Sequence, residues 1–163
     1  MEPLVEVVDE NDVVIGTATV QECHAKQLIH RIAHVLCFTP EGNIVLQKRS
    51  KAMSTYPGLL TSSASGHVDS GESYAQAAAR ELQEELGVRA ALTEIGRTKS
   101  LDPRHMVQIG VFMATVGEQL RPDPHEVEAV VPFDPLELKE AIQKEPERFA
   151  APFIAVAKLL GVA

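Results

Sequence analysis

The chain has 163 residues, 45% of them apolar, and its 23 acidic against 15 basic side chains leave a net charge of −8. That length gives one domain, residues 1–163, with room for a sizeable core, and the apolar content excludes wholesale disorder. The acidic balance excludes non-specific nucleic-acid binding, and with no spanning apolar run or basic-then-apolar leader the expectation is a cytoplasmic protein without membrane attachment.

Leu4–Val8 and residues 13–17 are β-branched runs around the turn-forming Asp9-Glu10-Asn11-Asp12, and they predict a hairpin. Residues 20–27 predict a short helix. Residues 32–39 and Ile44–Arg49 are strand-like and joined by Pro40-Glu41-Gly42-Asn43. Residues 50–65, rich in Ser, Thr, Gly and Pro, predict a long loop, and loops of that length carry function. Residues 72–86 predict the clearest helix, with Ser70 as N-cap and Gly87 as its stop. Residues 92–99, 107–116 and Val127–Phe133 predict further strands, the last preceded by Pro122-Asp123-Pro124. Residues 136–144 and 146–160 predict two closing helices, the second starting at a proline. Strands and helices interleave in mixed order, so the fold class is α/β or α+β with a mixed sheet. The two cysteines, Cys23 and Cys37, are too few for a disulfide framework and lack metal-ligand spacing.

Gly66 opens the segment with the chemistry: Gly66-x5-Glu72-x7-Arg80-Glu81-Leu82-x-Glu84-Glu85-x-Gly87-Val88. On a helix Glu81, Glu84 and Glu85 stand at i, i+3 and i+4, so their carboxylates share one face. Leu82, Leu86, Ala75 and Ala79 fall on an adjacent face that can pack on a sheet, and Ala77 and Ala78 leave room beside the carboxylates. Arg80, four residues before Glu84, can hold it. Three carboxylates so close repel each other unless a hard dication sits among them, and Mg²⁺ takes such ligands together with substrate phosphate. Gly66 and Gly71 give the loop before the helix its backbone freedom. A solvated acidic helix would explain the glutamates but not the glycines, Glu72 and Arg80 in the same register.

This segment resembles the Nudix box, the signature of hydrolases that cleave nucleoside diphosphates linked to another group. Tyr56-Pro57-Gly58-Leu59-Leu60 is similar to the family's pre-box segment, with Leu60 in place of an aromatic residue, and residues 126–138 resemble its last strand and following helix. The resemblance implies an α/β/α sandwich with a mixed sheet. It implies that Glu81, Glu84 and Glu85 bind Mg²⁺, with Mn²⁺ as a substitute, that Glu85 or a neighbour activates water, and that Arg80 orients Glu84. Glu126 is a further candidate base. A small-molecule diphosphate is the implied partner, and a homodimer is a family habit.

A narrower resemblance is to isopentenyl diphosphate isomerase, through Val8-Asp9-Glu10-Asn11-Asp12, Cys23-His24, Ile29-His30-Arg31 and residues 61–67. It implies a second metal site at His24, His30 and His67, which read on their own as surface or core histidines. Two departures count against isomerisation. Ser65 stands where the isomerase has its cysteine, and a hydroxyl is far less acidic than a thiol. Arg104-His105-Met106-Val107 stands where the isomerase needs a glutamate. A non-catalytic nucleotide sensor is the third reading. His34 alternates with apolar strand positions and reads as structural, whereas His105 and His125 fall in loops near the expected cleft. A diphosphate also needs cationic donors. Arg31, Lys48, Arg49 and Lys51 are the candidates, and they read equally as a solvated strand edge. Tyr56 is the aromatic residue best placed to meet a substrate; the chain has no tryptophan.

Overall fold

The computed structural model describes residues 2–117 and 119–163. Strands β1 (Leu4–Val8) and β2 (Val14–Thr19) form the expected hairpin. The Asp9 carboxylate closes it by accepting from the backbone N–H groups of Asn11 (2.8 Å) and Val13 (3.0 Å), the local bonding that makes Asp a turn residue. Thr19 then caps α1 (Val20–Lys26) in a reciprocal box with Glu22.

The central strand is β3 (His30–Phe38), buried at seven of its nine positions. It pairs with β4 (Ile44–Arg49) only through Cys37↔Val45 and Phe38↔Ile44. Beyond that point the two strands part. β5 (Leu60–Thr61) continues alongside β4, and β6 (Ala64–His67) alongside β3. Ser62 and Ser63, both fully buried, sit at the apex of the fork. Ser63 Oγ accepts from Cys37 N (2.7 Å) and donates to Val45 O, which satisfies backbone groups that a continuous ladder would have paired. The fork is the opening in the sheet around which the candidate site is built.

Helix α2 (Tyr74–Leu86) follows, then β7 (Thr93–Asp102), β8 (His105–Thr115), β9 (Val127–Phe133), α3 (Pro135–Lys144) and α4 (Ala151–Leu160). β8 runs parallel to β3, and the other pairings are antiparallel, so the sheet is mixed. Alternate residues of β3 face opposite layers. Ile32 and Leu36 pack with Leu138 of α3 and with Phe153 and Val156 of α4. Ala33, Val35 and Cys37 pack with Tyr74, Ala77, Ala78, Leu82 and Leu86 of α2. The architecture is the expected α/β/α sandwich. No helix among the described residues is long and apolar enough to cross a membrane.

Four local expectations change. Residues 50–65 are not one loop, because residues 60–61 and 64–65 already pair with the two arms of the fork. Helix α2 is capped by Ser73, not Ser70. Ser73 Oγ accepts from Gln76 N (3.1 Å) and Gln76 Oε1 accepts from Ser73 N (2.9 Å), while the Ser70 N–H is bound to Leu4 O (2.8 Å). Ala75 and Ala79 are exposed, because the helix is rolled to turn Glu81 and Glu85 inward among Ala77, Ala78 and Leu82. The last predicted helix is split into a 3₁₀ turn, Pro146–Arg148, and α4. Pro152 lacks the N–H an interior position needs and fits only in a first turn. Phe149 and Ala150 are extended instead, and Ala150 N–H donates to Leu60 O (2.9 Å). That break brings Ala150 and Pro152 to the rim of the cleft.

Candidate active site

The fork between β3 and β4 opens into a cleft. Its walls are His34 from β3, Gln47 and Arg49 from β4, Tyr56 from the pre-box loop, and Glu81 and Glu85 from α2, with Glu126 beside them. α2 approaches the fork because Gly66 has no side chain: a Cβ there would overlap the Glu81 carboxyl group.

Glu81 and Glu85 are buried, and with Glu126 they each offer an oxygen within 4.8 Å of the others. Burial pushes the Glu85 carboxyl well above the usual carboxylate range, and Glu81 beside it pushes it further. Burial raises Glu81 as well, and raises Glu126 with help from Asp123. Gln47 Nε2 donates to Glu85 Oε1 (2.6 Å) and to Ser63 O (3.0 Å), which fixes the carboxylate against the fork. The Ser65 N–H donates to the same oxygen at 3.3 Å.

Arg80 organises the flank. It donates to both oxygens of Glu72 (2.9 Å each), to Glu81 Oε1 (2.7 Å) and to His67 O (2.8 Å). Its bond to Glu84 is long, 3.4 Å, and Glu84 is half-exposed outside the Glu81–Glu85–Glu126 group. Arg80 thus positions Glu81 and Glu72 before Glu84. Glu72 reaches it because the backbone turns at Gly71, φ 84°, so that Glu72 lies before the helix rather than on it.

Four imidazoles gather beside the cleft, which His67 and His105 line; they come from α1 (His24), β3 (His30), β6 (His67) and β8 (His105). Their nitrogens lie within 4.8 Å of one another, and the rings are 5.0–6.2 Å apart. His30 Nδ1 lies 3.1 Å from Leu28 O, so it carries the proton and Nε2 presents a lone pair. Nε2 of His24, His30 and His67 and both nitrogens of His105 are buried without a partner. Such orphans cost free energy unless a ligand satisfies them. Burial lowers all four from the usual histidine value, His30 to about 4 and His67 to about 3, so the cluster is neutral.

His105 is the member that sequence reasoning missed. The predicted strand began at 107, but β8 starts at 105, and His105 continues the alternation of Val107, Ile109 and Val111. Extending that strand by one alternation would have placed it on the buried face.

The remaining candidates divide. Arg49 and Tyr56 line the cleft. Arg49 is half-buried, with Nε on Thr55 O (2.8 Å) and Nη2 on Thr55 Oγ1 (3.0 Å). The Tyr56 hydroxyl donates to Asp102 (2.9 Å), and Arg104 lies 5.1 Å over its ring. Arg31 is elsewhere. It donates to the Asp12 carboxylate (2.7 Å) and backbone oxygen (2.8 Å) and lies over Tyr74, so it fastens the hairpin to the sheet. Lys48 pairs with Glu128 at 2.9 Å on the outer side of the sheet, Lys51 is exposed, and neither Lys51 nor His125 lines the cleft. Ser65 does line it.

Comparison with known proteins gives a consistent answer. A NUDIX domain model matches residues 28–153. An uncharacterized Nudix hydrolase of Pseudomonas aeruginosa is 38% identical over 125 residues, which is 76% of this chain and 74% of that one. An isopentenyl-diphosphate Delta-isomerase of Nocardia farcinica is 35% identical over 159 residues, 93% of this chain and 90% of that one. Among solved structures, a Deinococcus radiodurans protein superposes with a TM-score of 0.78 at 21% identity, covering 94% of this chain and 95% of that one. A Caenorhabditis elegans Ap4A hydrolase superposes with a TM-score of 0.57 at 22% identity, covering 80% and 93%. These two share the fold.

Proposed function

The chain belongs to the Nudix family, and from that premise we propose that it is a Mg²⁺-dependent hydrolase cleaving the diphosphate bond of a nucleoside diphosphate linked to another moiety. Mn²⁺ is the expected substitute. One observation carries the reading: Glu81, Glu85 and Glu126 converge within 4.8 Å at the wall of a cleft, two of them buried. Arg80 is shared with Glu72 and does not offset that charge alone. Carboxylates in this arrangement fit a hard dication.

Glu81, Glu85 and Glu126 would hold the ion, with Glu84 at the rim beside them. The chemistry the ion supplies when bound is neutralisation of phosphate charge and activation of water for attack on phosphorus. The protein's own side chains do the rest. Gln47 keeps one Glu85 oxygen committed to the fork, leaving the other to the cleft. Arg80 holds Glu81 in place. Arg49 offers a half-buried cation to the phosphate further from the carboxylates, with its Nη1 uncommitted among the described residues. The four neutral imidazoles would hold a second, softer divalent ion, since all-nitrogen sets suit Zn²⁺, Co²⁺ or Ni²⁺ better than Mg²⁺.

The test is turnover of a panel of diphosphates by wild-type and Glu85→Gln protein. The substitution should abolish hydrolysis while the fold survives, and full activity would refute the assignment. The histidine cluster and the isomerase relative favour a second reading, isomerisation of a small alkenyl diphosphate. Ser65 weighs against it, because a serine hydroxyl is a poor acid or base at neutral pH. Deuterium uptake from heavy water without cleavage would support that reading, and phosphate-containing fragments would support hydrolysis.

A further inference from the structure

His34 reads as a core histidine from the sequence, yet the structure puts it at the fork with one edge on the cleft. It is 2% exposed, and Nδ1 lies 2.7 Å from the hydroxyl of Ser62, which is itself fully buried. A purely structural histidine needs a partner for each ring nitrogen. Nε2 has none among the described residues, although it is not among the atoms sealed from solvent. The other nitrogen donors on the cleft outside the histidine cluster are largely committed. Gln47 is spent on Glu85 and Ser63 O, and Arg49 gives Nε and Nη2 to Thr55. Arg31 and Lys48 are turned to other partners. Among the described residues that line the cleft outside the histidine cluster, a diphosphate therefore meets one cationic side chain, Arg49, and one further uncommitted side-chain nitrogen, on His34.

We propose that His34 is a phosphate-binding residue: a neutral imidazole, oriented by Ser62, that donates its Nε2–H to a diphosphate oxygen beside Arg49. The inference rests on the hydrolase reading above and adds to it the group that receives the phosphate further from the carboxylates. Ser62 makes no other side-chain hydrogen bond among the described residues, so its hydroxyl is free to rotate and donate to Nδ1. That leaves the proton on Nε2. Burial, reinforced by Arg49, lowers His34 to about 3, so the ring donates without carrying charge next to the guanidinium. A neutral donor of this kind binds the anion and takes no part in proton transfer.

The experiment is calorimetric titration of methylenebisphosphonate, a diphosphate that cannot be hydrolysed at its bridge, into the protein with saturating Mg²⁺. His34→Leu should weaken binding about tenfold, the scale of one hydrogen bond to a charged group. His34→Gln, which keeps a nitrogen donor, should recover most of the loss, and Ser62→Ala should fall between them. Thermal melts check that each variant folds. If His34→Leu does not fold, ¹⁵N-histidine spectra of the wild type decide. His34 should show a protonated Nε2 that shifts on adding the bisphosphonate, and an unmoved ring overturns the proposal. Binding by His34→Leu as tight as wild type also overturns it and leaves the hydrolase reading intact. Failure of the wild type to bind at all would remove both.

Discussion

Replacing Gly66 with alanine adds a single methyl group at the point where α2 meets the fork. The added carbon would occupy the space of the Glu81 carboxyl, and its neighbours there are Cδ and both oxygens, not the far end of a mobile aliphatic chain. Glu81 is buried and held at 2.7 Å by Arg80, so it cannot swing aside without breaking that bond or moving the helix. Overpacking of this kind costs about 2 kcal/mol, which for a chain of this size lowers Tm by roughly 4–8 °C. Activity should suffer more than stability, because a displacement of about 1 Å in a catalytic constellation costs about a hundredfold in rate. Gly16→Ala is the control. Its added carbon meets nothing within 4 Å, so both Tm and rate should stay at wild-type values. Differential scanning fluorimetry and initial rates on any cleaved diphosphate make the comparison. A Gly66→Ala protein with wild-type Tm and rate would refute the close approach of α2, and with it the placement of Glu81.

Glu84→Gln should retain at least about ten times the activity of Glu85→Gln, because Glu84 is half-exposed and Glu85 is anchored in the fork; equal loss would restore Glu84 to full membership of the site. Metal-free protein should lose stability in acid. The clustered histidines have folded-state values below the unfolded one, so their contribution is complete above about pH 6.5 and is lost as pH falls towards about 4 for His30 and 3 for His67. Urea unfolding at pH 7.5 and 5.0 with chelator present reads this, and no loss at pH 5.0 would count against the neutral cluster. Zn²⁺ at neutral pH should raise the Tm of wild-type protein and not that of His105→Ala. Arg31→Ala should lower Tm with KM unchanged, since Arg31 bonds Asp12 and not the cleft.

What the sequence made legible is what local chemistry determines. The hairpin turn depends on Asp9 and its own neighbours, and the α2 stop on Gly87, whose φ of 68° suits glycine. Spacing alone puts Glu81 and Glu85 on one helix face, but not the exposure of Glu84, which lies outside the group they form with Glu126. What escaped depends on partners distant in the chain. Arg31 looked free because Asp12, 19 residues earlier, approaches it only in the folded sheet. Ser70 looked like a cap because the pull of Leu4 O on its N–H cannot be read locally. The residue 50–65 segment looked like a loop because its strands are two and four residues long and take their register from β4 and β3. His105 escaped for a related reason: its partners come from α1, β3 and β6. The parallel pairing of β3 with β8 brings it to the other imidazoles, and the alternation of Val107, Ile109 and Val111 was the one local sign of its burial.

The central claim is that this cleft hydrolyses a diphosphate on its carboxylate cluster. The most direct measurement is mass spectrometry of the products after wild-type and Glu85→Gln protein meet a panel of organic diphosphates with Mg²⁺. The panel should include nucleotide conjugates and isopentenyl diphosphate. The account predicts cleavage of at least one compound into phosphate-bearing fragments, dependent on Mg²⁺ and absent in Glu85→Gln. Mass-neutral rearrangement, or binding of a panel member without turnover, would contradict it.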